Sequence, residues 1–194
     1  MSKYLMLSAA AMALAFAAPA AAKGTISTYK SWDGHSAFFY FGCGYSTTYG
    51  QVITIPDGQT HLDEFHFTWF GETRHRMFVR GEVYAWDGSK ATGSALYESK
   101  RRRIRLILPQ NVVFGGTSVP VTPGNQYVIF ASIDKDYESC TKPTPVRWGA
   151  IPSGDAYPGG MFVYQNNKGD EERWTTVPWN TNGRSDLAFE VHFP

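Results

Sequence analysis

The sequence predicts an all-β fold, a two-sheet antiparallel β-sandwich of jelly-roll type. Three observations carry that expectation. Short stretches rich in aromatic and β-branched residues recur along the chain, Gly- and Pro-containing turn signals separate them at near-regular intervals, and no long run shows the 3.6-residue period of an amphipathic helix. With 194 residues, 43% of them hydrophobic and 15% aromatic, the chain has the apolar content of one globular domain and not the composition of a disordered or coiled-coil protein. A closed barrel is the alternative architecture for so many short strands.

The first 22 residues differ from everything after them. Lys3 supplies a positive charge, Tyr4 to Ala18 is apolar, and Ala20-Ala21-Ala22 offers a small-residue cleavage site, the pattern of a secretory signal peptide removed after Ala22. The apolar stretch ends at Pro19 and is shorter than the roughly 20 residues that cross a bilayer. Residues 23–194 are then expected to form the single sandwich domain. No later stretch is long and apolar enough to span a membrane and no anchor signal precedes Phe193-Pro194, so the expected product is a free secreted or periplasmic protein.

Strands follow in order. Phe38 to Phe41 runs into the Gly42-Cys43-Gly44 bend, and Gln51 to Ile55 ends at Pro56-Asp57-Gly58, where Pro presets φ and Gly tolerates its positive values. In Leu62 to Phe70, Phe65, Phe67 and Trp69 alternate with Glu64, His66 and Thr68, so one face is core and the other polar. Met77 to Trp86 alternates less cleanly before the Asp87-Gly88 turn. Arg103 to Leu108, Gln126 to Ile133, Val146 to Ile151, Met161 to Gln165, Arg173 to Val177 and Leu187 to Phe193 complete the expected strands, with Pro120 to Asn125 as a turn. No internal repeat interrupts them.

Charge and cysteines narrow the setting. Loss of the leader removes Lys3 and no acid, so the 18 basic residues fall to 17 against 17 acidic ones. Such a balance gives no global field to attract nucleic acid or anionic lipid. Cys43 and Cys140 are the two cysteines, and a pair in an exported chain reads as a disulfide. Neither lies in a C-x-x-C redox motif.

One set of motifs is shared with known proteins. Tyr49-Gly50-Gln51, Leu62 to Phe67, the run Tyr84-Ala85-Trp86-Asp87-Gly88-Ser89-Lys90-Ala91-Thr92-Gly93, Gly124-Asn125-Gln126-Tyr127-Val128, Gly159-Gly160-Met161-Phe162-Val163 and Asp186-Leu187-Ala188-Phe189 resemble a group of exported bacterial β-sandwich proteins. In overall pattern that group looks like non-catalytic carbohydrate-binding modules. The resemblance spans most of Tyr49 to Phe189 and rests on turn and strand-end residues. It implies fold, a polysaccharide or cell-envelope glycan as partner, and no catalytic set. Asp186 is expected to cap a turn; the alternative, by resemblance to sandwich modules that carry a structural Ca2+, is that it is the single ligand of such an ion.

Several side-chain groups are candidates for chemistry. A sugar-binding surface needs exposed flat rings flanked by amides or charged hydrogen-bonding groups. Trp32-Asp33-Gly34-His35, Trp86-Asp87-Gly88 and the late segment with Trp174, Trp179, Asn180 and Asn182 have those ingredients, against the competing role of each Trp as core. Trp179 is the expected exposed ring, and Tyr157 to Asn182 the expected ligand segment. In the basic run Lys100-Arg101-Arg102-Arg103-Ile104-Arg105, Arg101, Arg103 and Arg105 share a strand face that meets an acidic polysaccharide or simply guards a sheet edge.

Glu64, Glu82 and Glu190 lie in expected strands and keep a second class open, a glycan-cleaving enzyme using two carboxylates. A purely structural surface protein is the third class. His61, His66 and His75 fall in one region, with Glu64 on the face of His66; two such groups begin a Zn2+ or Cu2+ site but do not complete one, and solvated side chains are the expected state. No G-x-S-x-G, P-loop or G-x-G-x-x-G motif occurs. The function expected from sequence is therefore a non-enzymatic glycan-binding or cell-envelope-associated module.

Overall fold

The computed structural model describes residues 24–71, 77–106, 109–183 and 185–194. The expected leader, His75, and the end of the expected Arg103 to Leu108 strand lie outside them. The strands run β1 (Thr25–Ser27), β2 (Ala37–Cys43), β3 (Thr48–Thr54), β4 (His61–Phe70), β5 (Met77–Trp86), β6 (Ala91–Glu98) and β7 (Arg102–Ile104). They continue as β8 (Gln110–Pro120), β9 (Gln126–Ser132), β10 (Thr144–Ile151), β11 (Phe162–Gln165), β12 (Asn180–Thr181), β13 (Asp186–Leu187) and β14 (Phe189–His192). One short helix, α1 (Arg173–Thr176), sits between β11 and β12.

These strands form two separate antiparallel sheets, the expected sandwich and not a closed barrel. The first has the order β1-β14-β4-β10-β13, with β8 on the other edge of β4 and β2 on β10; the second has the order β12-β11-β3-β9-β5-β6, with β7 on β5. Alternation builds the core between them. From β4 the rings of Phe65, Phe67 and Trp69 point inward and are fully buried, joined by Phe41, Trp148 and Phe189 from the same sheet and Ile53, Val83 and Ile129 from the other. The opposite stripe of β4, Glu64, His66, Thr68 and Phe70, forms the outer face of the first sheet.

Strands β1, β6, β8 and β12 are not among those expected, and two departures have local reasons. Arg173 to Val177 is a helical turn and not a strand: Thr175 and Thr176 donate their hydroxyls back to the Glu172 carbonyl at 3.2 and 2.9 Å, closing the turn that their β-branching argued against. β8 is an 11-residue strand with Gly115-Gly116 in its middle, in a stretch for which no strand is expected. Gly115, at φ 140°, carries the β4–β8 register shift between Leu62 and Glu64, and a Cβ there would collide with the Asp63 carbonyl. Cys43 at the end of β2 is bonded to Cys140, as expected. Among the described residues no helix is long and apolar enough to cross a membrane.

Candidate functional site

The expected ring site does not form. Trp174 and Trp179 are only 1% and 7% exposed, because α1 lies on the outer face of the second sheet and makes a small second core with Val52, Tyr84, Val128, Phe130 and Val163. Phe130 meets both indoles edge-on, at centroid distances of 5.0 and 5.2 Å. Their polar ends are occupied as well: Trp174 Nε1 donates to Thr48 Oγ1 at 3.1 Å, and Trp179 Nε1 to the Trp174 carbonyl at 2.8 Å. A sugar cannot stack on either ring. Trp179→Ala should therefore lower stability by about 3 to 5 kcal/mol, read from urea unfolding; an unchanged midpoint would return the ring to the surface.

The other expected ligand residues scatter. Asn180 and Asn182 are exposed on and after β12, beside the buried indoles. Arg103 and Arg105 are exposed around β7, while their neighbour Arg101 is held by Asp136 at 2.7 Å and lies over the Phe78 ring. Asp186 is buried and takes the turn-capping role: Oδ1 accepts from Gln51 Nε2 at 2.8 Å and Oδ2 from the Tyr157 amide at 3.0 Å. Both oxygens are thus engaged by the protein in the turn-capping role expected of it. Glu82 is fully buried and out of reach of any sugar.

The outer face of the first sheet gathers what the late segment lacks. In β2 a bulge sets Phe39 and Tyr40 together opposite Arg147 of β10, since Phe38 pairs Trp148 and Phe41 pairs Val146. An extra residue turns both rings outward; they are 51% and 61% exposed. Tyr40 holds a left-handed backbone at φ 73°, rare for a bulky residue. The turn after it fixes the shape: Ser46 N donates to the Tyr40 carbonyl at 2.9 Å, which lays the Tyr45 ring beside that of Tyr40 at 5.4 Å. Tyr49 Oη donates to the Phe39 carbonyl at 2.6 Å from below.

From there a band of rings continues across the sheet. The Arg147 guanidinium lies 5.8 Å from the Phe39 centroid and 5.3 Å from that of Phe70, and Trp32 stacks on Phe70 at 6.0 Å and 17°. Trp32 Nε1 donates to the Ser36 carbonyl at 2.9 Å, within a turn capped by Asp33. Trp32 also borders a surface hollow of about 530 Å3 shared with Tyr29, Thr68, Gln110 and Asn111. Thr68 donates its hydroxyl to Asn111 Oδ1 at 2.7 Å, leaving the Asn111 amide nitrogen as a donor.

Further along the same face stands a His/Glu quartet. β4 and β14 pair antiparallel with Glu64 opposite His192 and His66 opposite Glu190. Two Glu-x-His pairs, one per strand, thus meet head to tail. His192 Nε2 is 2.8 Å from Glu190 Oε1, His66 Nε2 is 3.3 Å from the same oxygen, and the two Nε2 atoms are 3.4 Å apart. Glu64 Oε1 lies 4.0 Å from His192 Nε2. Among the described residues, Glu64, His66 and His192 have ligand-type atoms all within 4.8 Å of one another. His66 is buried, contrary to the solvated state expected of it, and burial lowers its pKa against the opposing pull of Glu190. Sequence reasoning missed His192; the repeated Glu-x-His spacing at Glu64-Phe65-His66 and Glu190-Val191-His192 was the available signal.

Comparison with known proteins gives the fold and little more. No protein-family model matches the chain, and no curated protein matches it. Among solved structures it is similar to the cysteine protease and lectin-like domains of Cwp84, a surface-layer-associated protein of Clostridium difficile, with 7% identity and a TM-score of 0.49 over 76% of this chain and 32% of that one. It is also similar to the clostridial cysteine protease Cwp84 after propeptide cleavage, with 9% identity and a TM-score of 0.54 over 91% of this chain and 41% of that one. The chain thus spans about two fifths or less of the proteins it matches.

Proposed function

We propose that this chain is an exported, non-enzymatic glycan-binding module, and that its binding surface is the outer face of the first sheet from Tyr45 and Tyr40 through Arg147 to Trp32. The observation that carries this reading is the exposed pair Phe39 and Tyr40 on a bulge whose backbone is strained at Tyr40. Exposed rings on a rigid sheet offer flat apolar faces to the C–H face of a pyranose. Gln110, Asn111 and Arg147 supply amide and guanidinium donors for its hydroxyls or carboxylates. Strain held at such a residue is a feature of binding sites. The lectin-like domains named for the clostridial neighbour are in keeping with a glycan partner, and the Cys43–Cys140 disulfide with life outside the cytoplasm.

A glycan array with the oxidised protein, run beside a reducing-sugar release assay, tests the reading. Tyr40→Gly should abolish retention of a bound glycan while keeping or raising the melting temperature, because glycine relieves a left-handed residue whose cost is about 1 to 2 kcal/mol. Retention unchanged by Tyr40→Gly and Phe39→Ala moves the site elsewhere. Failure of the wild-type protein to retain any glycan removes the reading, and sugar release replaces it with the enzyme.

A further inference from the structure

We propose that Glu64, His66, Glu190 and His192 form a binding site for a divalent transition-metal ion of the Zn2+ type. The chemistry of the donors comes first. Two imidazole nitrogens and two carboxylates make an N2O2 set, which suits Zn2+ and its neighbours and neutralises a dication with two anionic ligands. A hard ion such as Ca2+ asks for six to eight oxygens and is poorly served by imidazole.

Geometry supports the same ion. With Zn–N and Zn–O bonds of about 2.0 to 2.2 Å, the donors at the corners of a tetrahedron stand about 3.3 to 3.6 Å apart. His66 Nε2 and His192 Nε2 are 3.4 Å apart, and His66 Nε2 and Glu190 Oε1 are 3.3 Å apart. The third edge of that triangle, His192 Nε2 to Glu190 Oε1, is 2.8 Å and needs to open by about half an ångström. Both Nε2 atoms also lie within reach of Glu190 Oε1, so in the metal-free protein that oxygen can accept from either ring, and a cation among the three atoms would take the place of those hydrogens. His66 Nδ1 is buried without a hydrogen-bond partner, so the polar contacts of this ring converge on the Nε2 side. His192 Nδ1 is 3.4 Å from Thr25 Oγ1, an outer contact of the kind that orients metal-bound imidazoles.

The fold leaves a way in. Glu64 and His192 line a surface hollow of about 500 Å3 with Thr25, Asp63, Gly116 and Ser118, beside the glycine bulge of β8. The more buried pair, His66 and Glu190, forms the floor and the half-exposed pair, Glu64 and His192, the rim. A metal there ties β14 to β4 across four side chains. The site adjoins the ring band, since Tyr29 of the Trp32 hollow meets His66 edge-on at 5.8 Å, but the two use different side chains and neither reading depends on the other.

The test uses the untagged, oxidised protein, stripped with a chelator and dialysed. Calorimetric titration with ZnCl2 should give one Zn2+ per chain, the melting temperature should rise with free Zn2+, and Co2+ should give visible absorption of tetrahedral intensity. CaCl2 and MgCl2 should do neither. His192→Gln, a change on the rim that spares the buried floor, should weaken Zn2+ uptake at least tenfold, and His66→Gln should abolish it. No uptake by the wild-type protein would leave Glu190 as a hydrogen-bond acceptor between the two rings and overturn the proposal. Undiminished uptake by His192→Gln would place any zinc elsewhere and overturn it too; that rim variant decides the matter even if His66→Gln fails to fold.

Discussion

Replacing both Cys43 and Cys140 by serine should lower the unfolding free energy by about 4 to 5 kcal/mol, the chain-entropy value for a bridge closing a loop of this size. The two residues are separated by 97 positions, so the reduced, unfolded chain regains most of the freedom of half the domain. The bridge also sits where it holds a functional element. Cys43 pairs with Thr144 in register, three residues beyond the Phe39–Tyr40 bulge, and Gly42 between them, at φ 125°, approaches the Thr144 carbonyl so closely that any Cβ would collide with it. β2 is attached to the first sheet along β10 alone. Without the bridge this edge strand should fray first, so glycan retention should weaken at reductant levels that leave the rest of the sheet folded. Urea unfolding with and without reductant measures the first effect; a loss below about 1 kcal/mol would mean that the unfolded chain is already compact without the bridge.

What the sequence reveals of the fold follows from how local the signal is. β4 and β10 alternate cleanly because one face of each is core, and Leu62 to Phe70 and Val146 to Ile151 are recognised within two residues of their ends. β8 is hidden because Gly115-Gly116 breaks its apolar pattern, and the bulge that the pair forms is required only by the pairing with Asp63 and Glu64. The helical turn at Arg173 is hidden for the opposite reason. Thr175 and Thr176 favour a strand on their own, and the burial of Trp174 against Phe130 overrides them.

The site is less legible still, because both of its parts depend on register. A Trp near a turn looks exposed, yet Trp174 and Trp179 are covered by the face they themselves cap. Phe39 and Tyr40 look like strand core, and one inserted residue turns both outward. Glu64 and His66 lie more than 120 positions from Glu190 and His192. Their convergence rests on β4 and β14 being neighbours with Glu64 opposite His192; a one-residue slip would send the second pair into the core.

The pH dependence of stability should be dominated by Glu82, and Glu82→Gln should remove it. Glu82 projects from β5 on the outer side of the second sheet, fully buried beneath Lys135, with both carboxyl oxygens lacking a hydrogen-bond partner. Lys135 Nζ is 3.6 Å away but sits closer to Glu98, at 2.6 Å, and to Glu171, at 3.4 Å. Glu98 is also the residue directly opposite Glu82 on β6 and pairs with Arg80, itself bonded to Asp136. Burial dominates over the pull of Lys135, and the repulsion of Glu98 and Glu171 adds to it, raising the Glu82 pKa to about 8 from 4.5. The sign follows. Below pH 4.5 the carboxyl is protonated folded and unfolded, so its burial carries no ionisation penalty. As pH rises from there the unfolded chain releases this proton and the folded one keeps it, so stability falls until the folded group ionises near pH 8. The full loss is roughly 4 to 5 kcal/mol. Glu82→Gln is neutral throughout and leaves Lys135 with Glu98 and Glu171, so its stability should match the wild type near pH 4 and exceed it increasingly up to pH 8. Urea midpoints measured across that range decide the point: two parallel curves would mean that Glu82 is ionised in the folded protein at neutral pH, held there by Lys135.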